Sequence, residues 1–325
     1  MLNNKVILIT GGTGSFGKKC TEVILNNYKP KKLIIFSRDE LKQFEMKQVF
    51  NEEKYPCMRY FIGDIRNKER LYRAFFGVDY IIHAAALKQV PALEYNPFEG
   101  IETNIIGAQN VIDAAIDRKV KKVIFISTDK AVNPINLYGA TKLCAEKLFV
   151  AGNSYAGGTT KFSVVRYGNV VGSRGSVIPL FLKYKQTGKL PITDLRMTRF
   201  WITLEQGVNF TLSCLEKMHG GEIFVPKIPS MKIVDLAKTI CPKCKLETNG
   251  IRPGEKINEV LISKDESRRA IDMGSFFVIK PNFPFWKTEN WKGSSLPEDY
   301  EYRSDTNLNR ITVGEMRQII ESFKN

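Results

Sequence analysis

Between an apolar run, Val6–Thr10, and an amphipathic stretch beginning near Gly14, the chain reads Thr10-Gly11-Gly12-Thr13-Gly14-Ser15-Phe16-Gly17. Glycines at 11, 14 and 17 permit a tight turn, a close backbone approach to a ligand, and a helix start whose free N–H groups and dipole favour an anion. A glycine turn that serves packing alone is the plainer reading. A strand before it and a helix after it favour a dinucleotide pyrophosphate. The strand–helix unit then recurs: KLIIFS with a helix near Glu40–Phe50, RYFIGD, DYIIHAA, a helix around Asn104–Asp117, and KVIFIST. Such alternation predicts an α/β fold, a Rossmann-type doubly wound parallel sheet. The apolar runs are continuous, as strands covered on both faces require.

At 325 residues the chain has room for two domains. After FSVVRYGNVVG the rhythm breaks, and SRGSVIP, LRMTRFWIT, VPKIPSMK and IRPGEK read as loops between short elements. The expected division is a nucleotide-binding domain over 1–168 plus about 198–228. A smaller C-terminal α/β substrate domain would take about 169–197 and 229–325. No apolar stretch approaches the ~20 residues of a membrane span, and MLNNKVILITGG does not read as a leader, so a cytoplasmic protein without membrane association is expected. Six dispersed cysteines in a chain this large point to free thiols. The net charge of +15 is split between 23 basic and 16 acidic side chains in residues 1–150 and 26 and 18 beyond. An excess spread so evenly argues against nucleic acid and for a polyanionic small molecule.

The second strand ends at Ser37-Arg38-Asp39, twenty residues beyond Gly17. A site for NAD usually carries a carboxylate at that tip, whereas a hydroxyl and a guanidinium suit a 2′-phosphate, so NADP is expected. If Asp39 turns inward, NAD returns. Asp64, ending the third strand, is placed to accept from the adenine amino group, and Ala84, Ala85 and Ala86 are small enough for a dinucleotide to cross the sheet. Thr13, Ser15, Phe16, Lys42 and Ile65 complete the expected cofactor wall.

Tyr138 and Lys142 in YGATK are four apart on a helix and share a face. An ammonium beside a phenol lowers its pKa from ~10 toward neutrality and makes it a proton acceptor for an alcohol. One strand upstream stands Ser127-Thr128-Asp129-Lys130, at a strand end where open α/β sheets bind ligands. Thr128 can complete the hydrogen-bond relay, leaving Asp129 and Lys130 as an additional acid and base that a plain alcohol dehydrogenase does not need. An Asp cap and a surface Lys are the bland alternative. A lysine of ordinary pKa ~10.4 is protonated at neutral pH, so a basic Lys130 requires burial or a neighbouring cation to depress it.

TGGTGSFG, YGATK and STDK together resemble the extended short-chain dehydrogenase/reductase family. SRDELKQFEM, HAAALKQVPALEYNP, STDKAVNPINLYGATK, VVRYGNVVGSRGSV, ITDLRMTRFWIT and IRPGEK resemble its inverting UDP-N-acetylglucosamine 4,6-dehydratases, in the branch that opens pseudaminic acid biosynthesis. The likeness runs to about Ser267. It implies an NADP-dependent hydro-lyase acting on UDP-N-acetylglucosamine: C4 oxidation with Tyr138 as proton acceptor, C5 deprotonation by Lys130 where retaining enzymes carry Glu, loss of the C6 hydroxyl aided by Asp129, and hydride return to C6 with C5 inverted. The product would be the L-arabino 4-keto-6-deoxy sugar. Lys88, Asn169, Val177, Thr193 and Asn307 match positions near the sugar nucleotide, and Val170 a cofactor-facing one. Arg174, Arg199 and Arg252 offer cations for a diphosphate. The resemblance also implies a homo-oligomer, a dimer or higher and up to a hexamer, with Leu143, Leu148 and Val150 suited to the interface.

Cys241-Pro242-Lys243-Cys244 resembles half a zinc site, but His83 and His219 are the only histidines, so no metal is expected. The aromatic segment FPFWKTENW is expected to serve packing. Two other readings stay open: a related UDP-N-acetylglucosamine dehydratase/5-epimerase for capsule or O-antigen sugars, and a non-catalytic NADP-binding regulator on the same fold.

Overall fold

The computed structural model describes residues 1–172, 176–281 and 291–322. In chain order the first half runs β1 (Val6–Thr10), α1 (Ser15–Asn27), β2 (Lys32–Ser37), α2 (Glu40–Val49), β3 (Met58–Ile62), α3 (Lys68–Ala74), β4 (Tyr80–His83), α4 (Val90–Tyr95), α5 (Pro97–Ile101), α6 (Gly107–Asp117), β5 (Lys122–Thr128), α7 (Leu137–Tyr155) and β6 (Lys161–Tyr167). A turn of π-helix, Glu102–Ile106, joins α5 to α6. The second half continues with β7 (Asn169–Val170), α8 (Val177–Tyr184), β8 (Lys189–Ile192), β9 (Thr198–Ile202), α9 (Leu204–Lys217), β10 (Ile223–Pro226), β11 (Ser230–Lys232), α10 (Ile233–Ile240), β12 (Lys245–Thr248) and β13 (Val260–Ile262). Then come α11 (Lys264–Ser267), β14 (Ala270–Asp272), β15 (Phe276–Ile279), β16 (Ser294–Ser295), β17 (Tyr302–Arg303) and α12 (Val313–Ser322).

The main sheet has the order β3-β2-β1-β4-β5-β6-β10-β15-β14-β16. The run from β3 to β10 is parallel, and the strands beyond it pair antiparallel. Strand order reverses between β1 and β4, opening the crevice where such sheets bind ligands. Ile7, Leu8 and Ile9 of β1 and Val123 and Ile124 of β5 are fully buried, the outcome expected of continuous apolar strands under helices on both faces. Gly17 lets α1 lie directly on the loop, since a Cβ there would collide with the Gly12 carbonyl.

The sheet takes in Ala270–Asp272, Phe276–Ile279 and Ser294–Ser295, within the stretch where the sequence leads one to expect the second domain. The reason is local: FFVI is a four-residue buried strand that completes the edge left by β10. A separate apolar cluster holds the smaller unit together, with Val171, Phe181, Leu190, Trp201, Leu236 and Met316 at its centre. Its strands form a β11-β9-β7 sheet and a β12-β8 pair.

One expectation changes here. Cys241 and Cys244 are bonded as a disulfide at the end of α10, with Cα atoms 5.4 Å apart, because the turn after the helix folds the second thiol back over the first. The other cysteines, Cys20, Cys57, Cys144 and Cys214, are free. Leu148 and Val150 are partly buried, each packing in part against the chain's own core; the exposed apolar side chains nearby are Tyr95, Phe98 and Ile106 on the neighbouring α4, α5 and π-turn. His83 is buried between Phe125 and Phe149, bonded to Thr10 Oγ1 at 2.6 Å, with burial pushing its pKa down to about 3. Trp291 packs on Phe224 and Phe276, whereas the rest of FPFWKTENW lies outside the described residues. Among the described residues no helix is long and apolar enough to cross a membrane.

Candidate active site

One cavity of about 660 Å³ runs along the carboxyl ends of the strands, from the glycine loop to the end of β7. Its wall contains Gly11, Thr13, Gly14, Ser15 and Phe16, then Ser37, Arg38, Asp39 and Lys42, then Asp64, Ile65, Ala84, Ala85 and Ala86. Further along lie Lys88, Thr128, Lys130, Tyr138, Lys142, Asn169 and Val170. Gly17 stands behind the loop.

At the β2 end, Thr13 and Ser37 share a hydroxyl hydrogen bond of 2.8 Å. Asp39 is the N-cap of α2: its carboxylate accepts from the Lys42 N–H at 3.0 Å and from the Lys42 ammonium at 2.5 Å. Those two bonds hold its pKa below the usual carboxylate range. The arrangement turns the carboxylate toward its own helix. Arg38 stays half exposed, with a 3.6 Å ion pair to Asp64. Asp64 is itself held by Arg66 at 2.8 Å, which leaves its carboxylate already engaged by two cations.

The second group forms where α7 crosses the end of β5. Asn136 caps α7, accepting from the Gly139 N–H at 2.8 Å. Gly139 has no side chain because a Cβ there would collide with the Lys130 carbonyl, so the YGATK helix rests directly on the STDK turn. That contact brings Tyr138, Thr128 and Lys130 to one cavity wall. Thr128 Oγ1 donates to Asp129 Oδ1 at 2.9 Å, and Lys130 Nζ donates to the same oxygen at 3.0 Å. Asp129 is fully buried, whereas Lys130 keeps 27% of its side chain accessible.

The electrostatics differ from the expected ones at two points. Lys142 donates to the Ile126 carbonyl at 2.6 Å instead of depressing the phenol, and burial brings its own pKa down to about 7. Burial raises the Tyr138 pKa, against lowering contributions from the Lys130 charge and a hydrogen bond with Thr128. Lys130 is held above the ordinary lysine value, although burial works the other way, because Asp129 and Glu259 both face it. This reverses the expectation that burial or a neighbouring cation depresses Lys130: burial and Arg199 do act downward, but the two carboxylates outweigh them. Burial and the Lys130 charge lower the pKa of Lys88, which lines the same cavity.

Several expected substrate contacts are elsewhere. Arg199 is buried, its guanidinium donating to the carbonyls of Thr198, Ile257 and Lys256, so it has little left for a diphosphate. Asn307 is likewise occupied by Ile228 O and Asn309 O. Val177, Thr193 and Arg252 do not line the cavity, being carried on α8, on the turn after β8 and on an exposed loop. Arg174 lies outside the described residues.

Sequence reasoning missed Gln89, Thr103, Tyr167 and Leu204, which line the cavity, and Asn104 behind it. Asn104 pins the loop after β4 through Leu87 N–H and O, each at 2.8 Å, and donates to Thr141 of α7 at 3.0 Å. The π-turn that presents it has no compositional signature, though such turns gather at functional sites.

Thr103 Oγ1, Ser127 Oγ and Asn169 Oδ1 all belong to cavity-lining residues and are buried without a hydrogen-bond partner among the described residues. Unpaired polar atoms are costly unless a ligand completes them, so a polyhydroxyl, polyanionic dinucleotide fits this wall.

A family model described as polysaccharide biosynthesis protein matches residues 7–281. The chain is 57% identical, over 98% of its length and 98% of the other's, to a Campylobacter jejuni protein named UDP-N-acetylglucosamine 4,6-dehydratase (inverting). It is 42% identical to a Rickettsia massiliae protein named UDP-glucose 4-epimerase, over 98% and 96% of the two chains. The X-ray structure of Pen from Bacillus thuringiensis superposes with a TM-score of 0.91 at 41% identity, covering 100% of this chain and 99% of that one.

Proposed function

This chain belongs to the polysaccharide biosynthesis protein family of extended short-chain dehydrogenases/reductases, and we propose that it is an NADP-dependent inverting UDP-N-acetylglucosamine 4,6-dehydratase. The observation that carries the proposal is the 3.0 Å contact of Lys130 with Asp129 on the same wall as Tyr138 and Lys142. Epimerisation at C4 needs only a proton acceptor for one alcohol. Elimination across C5 and C6 needs a further base and a further acid, and the Asp129–Lys130 pair supplies both. A nicotinamide dinucleotide held along Gly11, Thr13, Gly14, Ala84 and Ala85 would supply the hydride acceptor for C4 and the hydride donor for C6.

For the chain's own groups, the sequence of events is as follows. Tyr138, as the phenolate that the Lys130 charge and the Thr128 hydrogen bond favour, accepts the C4 hydroxyl proton. Transfer of one proton from Lys130 to Asp129 turns the ion pair into a neutral amine and a neutral acid. The amine removes the C5 proton, which the new ketone has acidified, and Asp129 gives its proton to the departing C6 hydroxyl. Lys130 then stands as the ammonium beside a carboxylate, and Tyr138 passes the proton it took from the C4 hydroxyl to C5 on the other face, which completes the inversion and returns the phenolate. Lys88 and Asn169 line the sugar end of the cavity, and Ser37, Arg38 and Lys42 surround the position of a 2′-phosphate.

The MTRFWIT segment favours the pseudaminic acid branch over capsule or O-antigen sugars, and the exposed Tyr95, Phe98 and Ile106 suit a homo-oligomer of at least two chains. Incubating the protein with NADP and UDP-N-acetylglucosamine and following the sugar by NMR tests the reading. A 4-keto-6-deoxy product with inverted C5 is expected. Conversion to the C4 epimer alone would make it an epimerase, and no conversion would leave only the fold and family.

A further inference from the structure

Glu259, just before β13, is a buried carboxylate that the proposed chemistry does not use. Ser304 fixes its backbone on both sides, accepting from the Glu259 N–H and donating to its carbonyl, each at 2.9 Å. The side chain is only 2% exposed; Oε1 lies 3.6 Å from Lys130 Nζ and 3.7 Å from Arg199 Nε. Oε2, 4.0 Å from Lys256 Nζ, has no hydrogen-bond partner among the described residues. Every contact of this carboxylate is therefore ionic at longer than hydrogen-bond range. A buried charge so poorly hydrogen-bonded costs stability, and a surrounding set of cations offsets only part of that cost. The placement calls for a role besides packing.

We propose that Glu259 is a positioning residue for Lys130, holding its ammonium from the side opposite Asp129 so that the nitrogen keeps one place on the cavity wall. Asp129 approaches from Lys130's own turn and Glu259 from the second half of the chain, so the lysine is gripped between two parts of the fold. Arg199, locked by its three carbonyls, and Lys256 form the rigid backing of Glu259. The arrangement also gives Arg199 a task in place of the diphosphate contact. A four-carbon stem released on one side regains rotamers, and a base displaced from C5 by ~1 Å loses ~100-fold in rate.

The inference rests on the dehydratase reading, and its test separates the two. Glu259→Gln preserves shape and removes charge. With NADP and UDP-N-acetylglucosamine in deuterated water, the variant should show unchanged NADP affinity, KM and single-turnover reduction of the nicotinamide. Deuterium entry at C5 and kcat should both fall about 100-fold, with partial recovery in Glu259→Asp. A C5 exchange rate equal to the parent's would overturn the proposal. So would a parallel decline of NADP affinity, KM and thermal midpoint without a selective loss of exchange. Nitrogen NMR of the Lys130 ammonium, assigned with Lys130→Arg, provides an arm that needs no turnover: the signal should gain mobility in Glu259→Gln, and unchanged mobility overturns the proposal even if the parent proves inert toward UDP-N-acetylglucosamine.

Discussion

Lys142 donates to the Ile126 carbonyl at 2.6 Å and places its ammonium 3.8 Å from the centroid of the Phe125 ring. The helix residue is thereby tied to the strand whose end carries the STDK turn. Glu146, one helical turn on, works against the effect of burial on Lys142, and is itself bonded to Arg166 at 2.6 Å.

Burial lowers the Lys142 pKa to about 7 from its ordinary 10.5, so between these pH values the unfolded chain binds a proton that the folded chain does not. Folding stability attributable to this group therefore rises with pH across that window, and below about 7 the burial cost is complete. Lys142→Met should stabilise the protein without cofactor at neutral pH by up to ~4 kcal/mol, with the advantage fading toward pH ~10. Thermal midpoints of parent and variant against pH provide the check. A less stable variant at low pH would show that the Ile126 carbonyl and the Phe125 ring outweigh desolvation.

Asp39 caps α2 and leaves the half-exposed Arg38 at the cavity edge, so tighter binding of NADP than of NAD is expected from titration of the nucleotide-free protein. Arg38→Ala should weaken NADP by about tenfold, the worth of one charge-assisted bond, and change NAD little. Equal losses for both nucleotides would mean that Arg38 only steadies Asp64.

Arg166 joins two carboxylates inside the protein, Glu146 at 2.6 Å and Glu266 at 2.9 Å, linking α7 to α11. Arg166 brings the Glu266 pKa down to about 2 against the opposing effect of burial. A depressed carboxylate contributes stability that is present above its unfolded value near 4.5 and is lost as pH falls toward about 2. Glu266→Gln should cost ~3 kcal/mol at neutral pH, and the gap in thermal midpoint should close on acidification through that window. A gap independent of pH would assign the loss to packing.

The glycine loop, the alternation of parallel strands with helices and the meeting of YGATK with STDK were legible because each is local: a strand, a turn and a helix whose spacing sets the geometry. The absent side chain of Gly139 shows how far that goes, since its need arises from a carbonyl only nine residues away. Glu259 and Asn104 were not legible. Each reaches its partner through a contact between distant segments, and neither its type nor its neighbours in sequence mark it. Arg199 misled for the same reason, because nothing local distinguishes a guanidinium facing a cavity from one spent on three buried carbonyls. In the same way, the strand added by FFVI depended on an open edge at β10 that only the assembled sheet displays.

The Asp129–Lys130 contact makes a prediction about protons. Lys130 is held above the ordinary lysine value by Asp129 and Glu259, so release of its proton to neutral solvent is too rare to supply a base. Transfer to Asp129 over 3.0 Å needs no solvent and leaves the charge of the pair unchanged. If that transfer generates the base, deuterium entry at C5 of UDP-N-acetylglucosamine should be flat across the neutral pH range in the parent enzyme. A base formed by loss of the proton to solvent would instead give a rate rising about tenfold per pH unit. Asp129→Asn removes both the acceptor and one of the charges that hold the lysine proton. Its residual exchange should become slower and should rise with pH, while Lys130→Met should show none with NADP binding intact. Exchange in Lys130→Met at the parent's rate would place the C5 base on another residue and remove the reason for expecting inversion.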